Sequence, residues 1–151
     1  MTETTFQISH PRLQRLYDYW LAKRGQRKMP SRADIDAFEI TYVLGDVMLV
    51  DVIDGIPPRF RIRLHGTNLA ERAGYEITGK MLDELPENEF RKRVRERWTE
   101  VAATGAPLHC TRDGEFDGRP YRYESIILPL SADGERVNME LVALIHHDPG
   151  R

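Results

Sequence analysis

The last third of the chain constrains the fold more than any other feature. "PLHCTRDGEF" and "RPYRYESIILPL" flank Asp117-Gly118, and "RVNMELVALIHH" follows a second turn at Asp133-Gly134. An Asp-Gly pair between two apolar-rich runs is a strong hairpin signal, because the turn needs residues that tolerate positive φ. Three strands joined by such turns lie antiparallel and commit the chain to a sheet.

Two more strands precede them. "DVMLVDV" begins at Asp46, "IDGIPP" reads as a turn, and "RFRIRLHG" alternates strictly. Simple alternation puts Phe60, Ile62 and Leu64 on one face and Arg61, Arg63 and His65 on the other. From Arg63 to Leu85, "RLHGTNLAERAGYEITGKMLDEL" holds too many glycines for an ordinary helix and too few apolar residues for a core strand. Thr67 is positioned to cap a short helix, Asn68 to Ala73, that Gly74 ends, and Thr78-Gly79 permits another break. Short, interrupted helices of this kind can wrap a cavity that one straight helix would fill. A longer helix is expected from about Pro86, with Glu87 and Glu89 in its first turn. Phe90, Val94, Trp98, Val101 and Ala102 form its apolar stripe, and Gly105 with Pro107 closes it.

At the other end, Ser9 can cap a helix with Pro11 in its opening turn. Leu13, Leu16, Tyr17, Trp20 and Leu21 then share one face, and Gly25 terminates the helix. This stripe needs a covering surface, either the chain's own sheet or a second copy. "MPSRADIDAFEITYVLGDV" carries two good caps, Ser31 and Asp34, and reads as one or two short helices ending near Gly45. The expected architecture is α+β: a five-stranded antiparallel sheet, a helical insert over one face, and an N-terminal helix. Residues 1–45 form the N-terminal helical extension and residues 46–148 the sheet-bearing domain.

Composition excludes several classes. Apolar residues are 40% and charged residues 30% of 151, the balance of a globular chain able to bury a core. Lys and Arg total 22 against 24 Asp and Glu, and the net charge of -2 argues against a nucleic-acid or membrane partner. A single cysteine, Cys110, excludes an intramolecular disulfide and a multi-cysteine metal site. "MTETTFQISH" is no signal peptide, and no apolar run reaches transmembrane length, so a cytoplasmic location is expected.

"GTNLAERAGYEITGKMLDEL", "VAATGAPLHCTRDGEF" and "YESIILPLSADGERVNMELVALIHH" together resemble a PAS domain. The first matches an Asn-bearing helix leading to a Gly-x(3–4)-Gly step. The second matches the long connecting helix and its following strand, and the third the last hairpin. With "PSRADIDAFEI" and the "YDYW" helix, the chain is similar to small standalone bacterial PAS-like proteins. The resemblance implies a sensory or interaction module with a pocket between sheet and helices, often dimeric, that signals through a partner protein. Flavin-binding members of that superfamily carry a Cys in an Asn-Cys-Arg run, where this chain reads "TNLAER". Heme-binding members place a His on the pocket helices, and the span from Gly66 to Leu108 has none. Neither cofactor is expected, although an unidentified small molecule is.

The candidate ligand contacts are Arg63, His65, Asn68, Tyr75 and Tyr123. Arg63 suits an anionic ligand but pairs equally well with Glu124. His65 is either a polar group at the pocket mouth or a hydrogen-bonded strand-end histidine, and the second reading is preferred. Whether Arg63 or the apolar set Phe60, Ile62 and Leu64 faces the pocket is open, with a lean to the apolar facing and His65 at the rim. The candidate dimer contacts are Leu13, Tyr17, Trp20 and Leu21. His109 and Cys110 are strand neighbours on opposite faces and form no nucleophile–base couple. "HHD" at His146 to Asp148 lacks a second ligand cluster, so no metal is expected. "RKRVRER" reads as a solvated helix face. Without a nucleophile elbow, phosphate loop or dinucleotide fingerprint, the chain reads as a non-enzyme. A ligand-binding sensor leads, ahead of an adaptor with a side-chain-filled core and, last, an enzyme using His65 or His109.

Overall fold

Alternation decides the layers, because both faces of the sheet are apolar and each demands a cover. The computed structural model describes residues 7–74, 76–116 and 119–147. Its five strands are β1 (Val47–Ile53), β2 (Arg59–His65), β3 (Leu108–Phe116), β4 (Arg119–Leu130) and β5 (Met139–His146). They form one antiparallel sheet in the order β2-β1-β5-β4-β3. β5 is central and buried along almost its whole length, the expected state of a strand covered on both faces. The turn at Asp117-Gly118 lies outside the described residues.

One face, the insert face, lies under α2 (Thr67–Ala73), a 3-10 turn at Leu82–Glu84 and α3 (Glu89–Thr104). Its core joins Val50, Phe60, Ile62, Ile127 and Val142 of the sheet to Trp98 and Val101 of α3. Phe60 and Trp98 meet edge to face at 5.6 Å. The opposite, outer face lies under α1 (Pro11–Arg24) and three 3-10 turns between Arg32 and Asp46. Leu13, Leu16 and Trp20 of α1 are wholly buried there against Leu49, Ile126, Leu128 and Leu141. The Trp20 indole N–H donates to Pro129 O at 2.9 Å, so the ring's one polar group is satisfied.

Helix starts differ from the sequence reading for a local chemical reason. His10, not Ser9, caps α1: the Arg12 N–H donates to His10 Nδ1 at 3.2 Å. Ser9 is occupied elsewhere, its own N–H donating to the carboxylate of Glu124. α3 begins at Glu89 rather than near Pro86, because Asn88 supplies the cap and its Oδ1 accepts from Arg91 N at 2.8 Å. Ser31 and Asp34 are two halves of one capping box around a single 3-10 turn, and Asp36 caps the next.

The edge strand β2 carries the main correction. Leu49 pairs with Leu64 but Val50 with Ile62, which leaves Arg63 as an extra residue opposite that step, a β-bulge. Beyond a bulge the two-residue alternation changes phase. Phe60 and Ile62 face the insert as expected, but Leu64 turns to the outer side and is 38% exposed. His65 pairs with Met48, whose side chain lies on the insert side, and is buried. Arg63 does not share a face with His65.

Candidate functional site

Between sheet and insert lies a cavity of about 60 Å³. Its walls are Met48, Ile62, Trp98, Ile127, Val142 and Leu144 on the apolar side, with Tyr123, Ser125, Cys110 and Arg97 supplying polar atoms. Tyr123 is 3% exposed and held by edge-to-face contacts with Phe90 and His146 at 5.9 and 6.2 Å. Burial pushes the Cys110 thiol up, which keeps it protonated and unreactive at neutral pH.

Of the four expected ligand contacts among the described residues, only Tyr123 is placed in the wall of this cavity. His65 is on the same face, its Nδ1 3.3 Å from Glu76 Oε1. Burial lowers its proton affinity, with a smaller push from Arg91, against the pull of Glu76. Glu76 Oε1 accepts from the Ile77 and Thr78 amides and the Thr78 hydroxyl, so this carboxylate holds the turn after α2. Asn68 points away from the cavity: its Nδ2 donates to Asp46 Oδ1 at 3.3 Å, and Arg12 bonds the other oxygen of that buried carboxylate at 3.0 Å. Arg63 is exposed and its Nε lies 3.1 Å from Asp51 Oδ2 on the outer side, so neither the pocket nor Glu124 is its partner. Tyr75 lies outside the described residues. The expected dimer contacts divide as well. Leu13 and Trp20 are already covered by the chain's own sheet, whereas Tyr17 and Leu21 stay half-buried.

Two carboxyl groups occupy the two faces: Glu124, expected only as a partner of Arg63, and Glu140, which the sequence reading passed over. Glu124 of β4 is 1% exposed on the outer side. Its Oε2 accepts from Ser9 N at 2.8 Å and lies 2.7 Å from His109 Nε2, while Oε1 accepts from His10 N at 2.9 Å. His147 Nε2 stands 3.9 Å from Oε1. Desolvation alone would raise this carboxyl, but His109 and the Ser9 and His10 amides outweigh it, and its pKa lies below the usual value. An open groove of about 430 Å³ lies over it, lined also by Arg112, Asp113 and Arg122. Arg122 is paired with Asp113 at 2.6 Å, so charges of both signs line the groove and it selects no ligand charge. Glu140 of β5 is fully buried on the insert face between Val50 and Pro129, and neither oxygen has a partner. Burial raises its pKa well above the usual carboxylate value. A carboxylate inside an otherwise apolar run, "YESIILPL" or "NMELVALI", was the available signal for both.

The PAS domain family model matches residues 8–144, which takes in α1 as well as the sheet. Among solved structures, the PAS domain of BvgS from Bordetella pertussis is 17% identical, with a TM-score of 0.54 over 77% of this chain and 90% of that one. The LOV protein of Rhodobacter sphaeroides is 12% identical, with a TM-score of 0.50 over 77% and 70%. The light-state LOV domain of the photoreceptor Aureochrome1 is 11% identical, with a TM-score of 0.51 over 73% and 87%. At these identities the likeness is one of fold. No curated protein matches the chain. No described helix is long and apolar enough to cross a membrane.

Proposed function

Because the chain belongs to the PAS domain family, whose members are generally sensory or signalling modules, we propose that it signals by contact with a partner protein, its insert-face core being filled by its own side chains. The observation that carries this reading is the size of the cavity, about 60 Å³. Drug-sized ligands occupy pockets of roughly 300–1,000 Å³, and a dry cavity of about 150 Å³ is what admits benzene. Trp98 and Phe60 hold the centre of the insert-face core. A flavin or a heme does not fit that space, and α2 carries no cysteine from which flavin photochemistry would proceed. The reading is non-enzymatic: Cys110 is a half-buried thiol whose proton affinity burial raises, and the Glu124–His109 pair is engaged in holding the start of α1.

A second reading keeps a ligand of only a few heavy atoms, with an apolar body and one polar end. It is favoured by the amphipathic lining, in which Tyr123, Ser125, Cys110 and Arg97 interrupt a mainly apolar wall. Trp98→Ala separates the two. Under the filled-core reading wild type shows no thermal shift with indole or benzene, and the variant gains one. A shift in wild type that Trp98→Ala abolishes would instead favour the small-ligand reading. Self-association is also part of the proposal, now through Tyr17 and Leu21 rather than Leu13 and Trp20. Light scattering should show a dimer that Tyr17→Glu/Leu21→Glu converts to monomer, and a monomeric wild type removes this element.

A further inference from the structure

The outer-face cluster around Glu124 is separate from the insert-face cavity and has a chemistry of its own. Four parts of the chain meet there: the lead into α1 with Ser9 and His10, β3 with His109, β4 with Glu124, and the residue after β5, His147. The His10 and His147 rings lie 5.6 Å apart. We propose that this cluster is a proton-binding latch, in which a proton taken up at His10 releases the first turn of α1 from the outer face of the sheet.

One nitrogen decides whether this turn is capped. His10 Nδ1 caps α1 by accepting from Arg12 N–H, and it can do so only while it carries no proton itself. Protonation there turns the acceptor into a donor facing a donor. It also places a positive charge at the positive end of the helix dipole. The groups facing His10 are Arg12 on its own helix, His147, Glu124 and Asp46. Arg12 and His147 oppose the added charge. Asp46 favours it but is already bonded by Arg12 and Asn68, and Glu124 by the two amides and His109.

Desolvation first, then Arg12 and His147, hold the proton affinity of His10 below the ordinary histidine value despite Glu124 and Asp46. With the folded value depressed, stability is intact above 6.5 and is lost as pH falls below it towards the folded value. Directly behind the cap, the Leu13 and Gln14 amides both donate to His10 O, and the Leu13 side chain is fully buried in the outer core. Loosening this turn therefore uncovers apolar surface that a partner could read, with no change at the insert-face cavity.

Amide exchange of the full chain by NMR, expressed as protection factors corrected for intrinsic pH dependence, tests the latch. Between about pH 7.5 and about pH 5.5, on either side of the ordinary histidine value, protection at Leu13 and Gln14 should fall severalfold in wild type, while Val101 in α3 keeps its own. His10→Asn, which supplies a cap that does not titrate, should hold Leu13 protection constant. Should that variant not fold, wild type alone decides: the loss at Leu13 must begin near the ordinary histidine value and level off at the lower midpoint shown by the His10 ring resonances. Constant protection in wild type, an equal fall in His10→Asn, or a fall that continues below that ring midpoint would overturn the proposal.

Discussion

At the scale of single residues, Glu140 has the clearest thermodynamic consequence. A carboxyl with no partner between Val50 and Pro129 keeps its proton to higher pH in the fold than in the unfolded chain. Its folded pKa is raised, so its contribution is fully present below the unfolded value near 4.5 and is lost as pH rises towards the folded value. Compared with Glu140→Gln, wild type should lose about 1.4 kcal/mol of stability per pH unit within that interval. Urea unfolding of both proteins at a series of pH values reads this difference, and parallel curves would show that Glu140 does not titrate. Glu140→Met should raise the melting temperature at pH 7, since it replaces a partnerless carboxyl by a side chain suited to its surroundings. Glu124 behaves in the opposite sense. Its folded pKa is depressed, so its stabilisation is present above the ordinary value and is lost as pH falls through the folded one.

At the scale of elements, junctions and caps carry the structure around the insert. Gly66 leads from β2 into α2, and its N–H donates to Val47 O at 2.8 Å. A Cβ there would collide with the carbonyl of Gly45, which is backbone and cannot step aside. Gly66→Ala should therefore cost about 1–3 kcal/mol, the usual range for overpacking, as read by chemical denaturation. Gly74, at φ 85°, ends α2 in the left-handed region that favours glycine. Asn88→Ala removes the cap of α3 and should cost about 1 kcal/mol. The elements themselves were legible in sequence: β4 matches its apolar run, and α2 ends where Gly74 ends it. The facing of β2 beyond Ile62 was not. A bulge is a property of the pairing of two strands, and nothing in "RFRIRLHG" alone marks Arg63 as the residue left over. His65 consequently reaches the insert side while Arg63, expected beside it, pairs with Asp51. Arg63 and His65 part for this reason, and Tyr123 remains in the cavity wall because β4 is regular there.

At the scale of the whole molecule, the sheet is a shared wall with two covers, and α1 is the outer one rather than an appendage. Its apolar stripe was legible from spacing, but what covers it was not, because periodicity gives a face and never its partner. Trp20 is fully buried, so Trp20→Ala should destabilise the chain by about 3–5 kcal/mol in equilibrium unfolding. A value typical of a surface site would show that α1 does not belong to the core. The central claim, that the insert-face core is filled by the chain's own side chains, is tested most directly by native mass spectrometry of the freshly purified protein. The spectrum should show the mass of the chain or its simple multiple, with no bound organic molecule of flavin or heme size. A stoichiometric adduct of that size, released on denaturation, would contradict it.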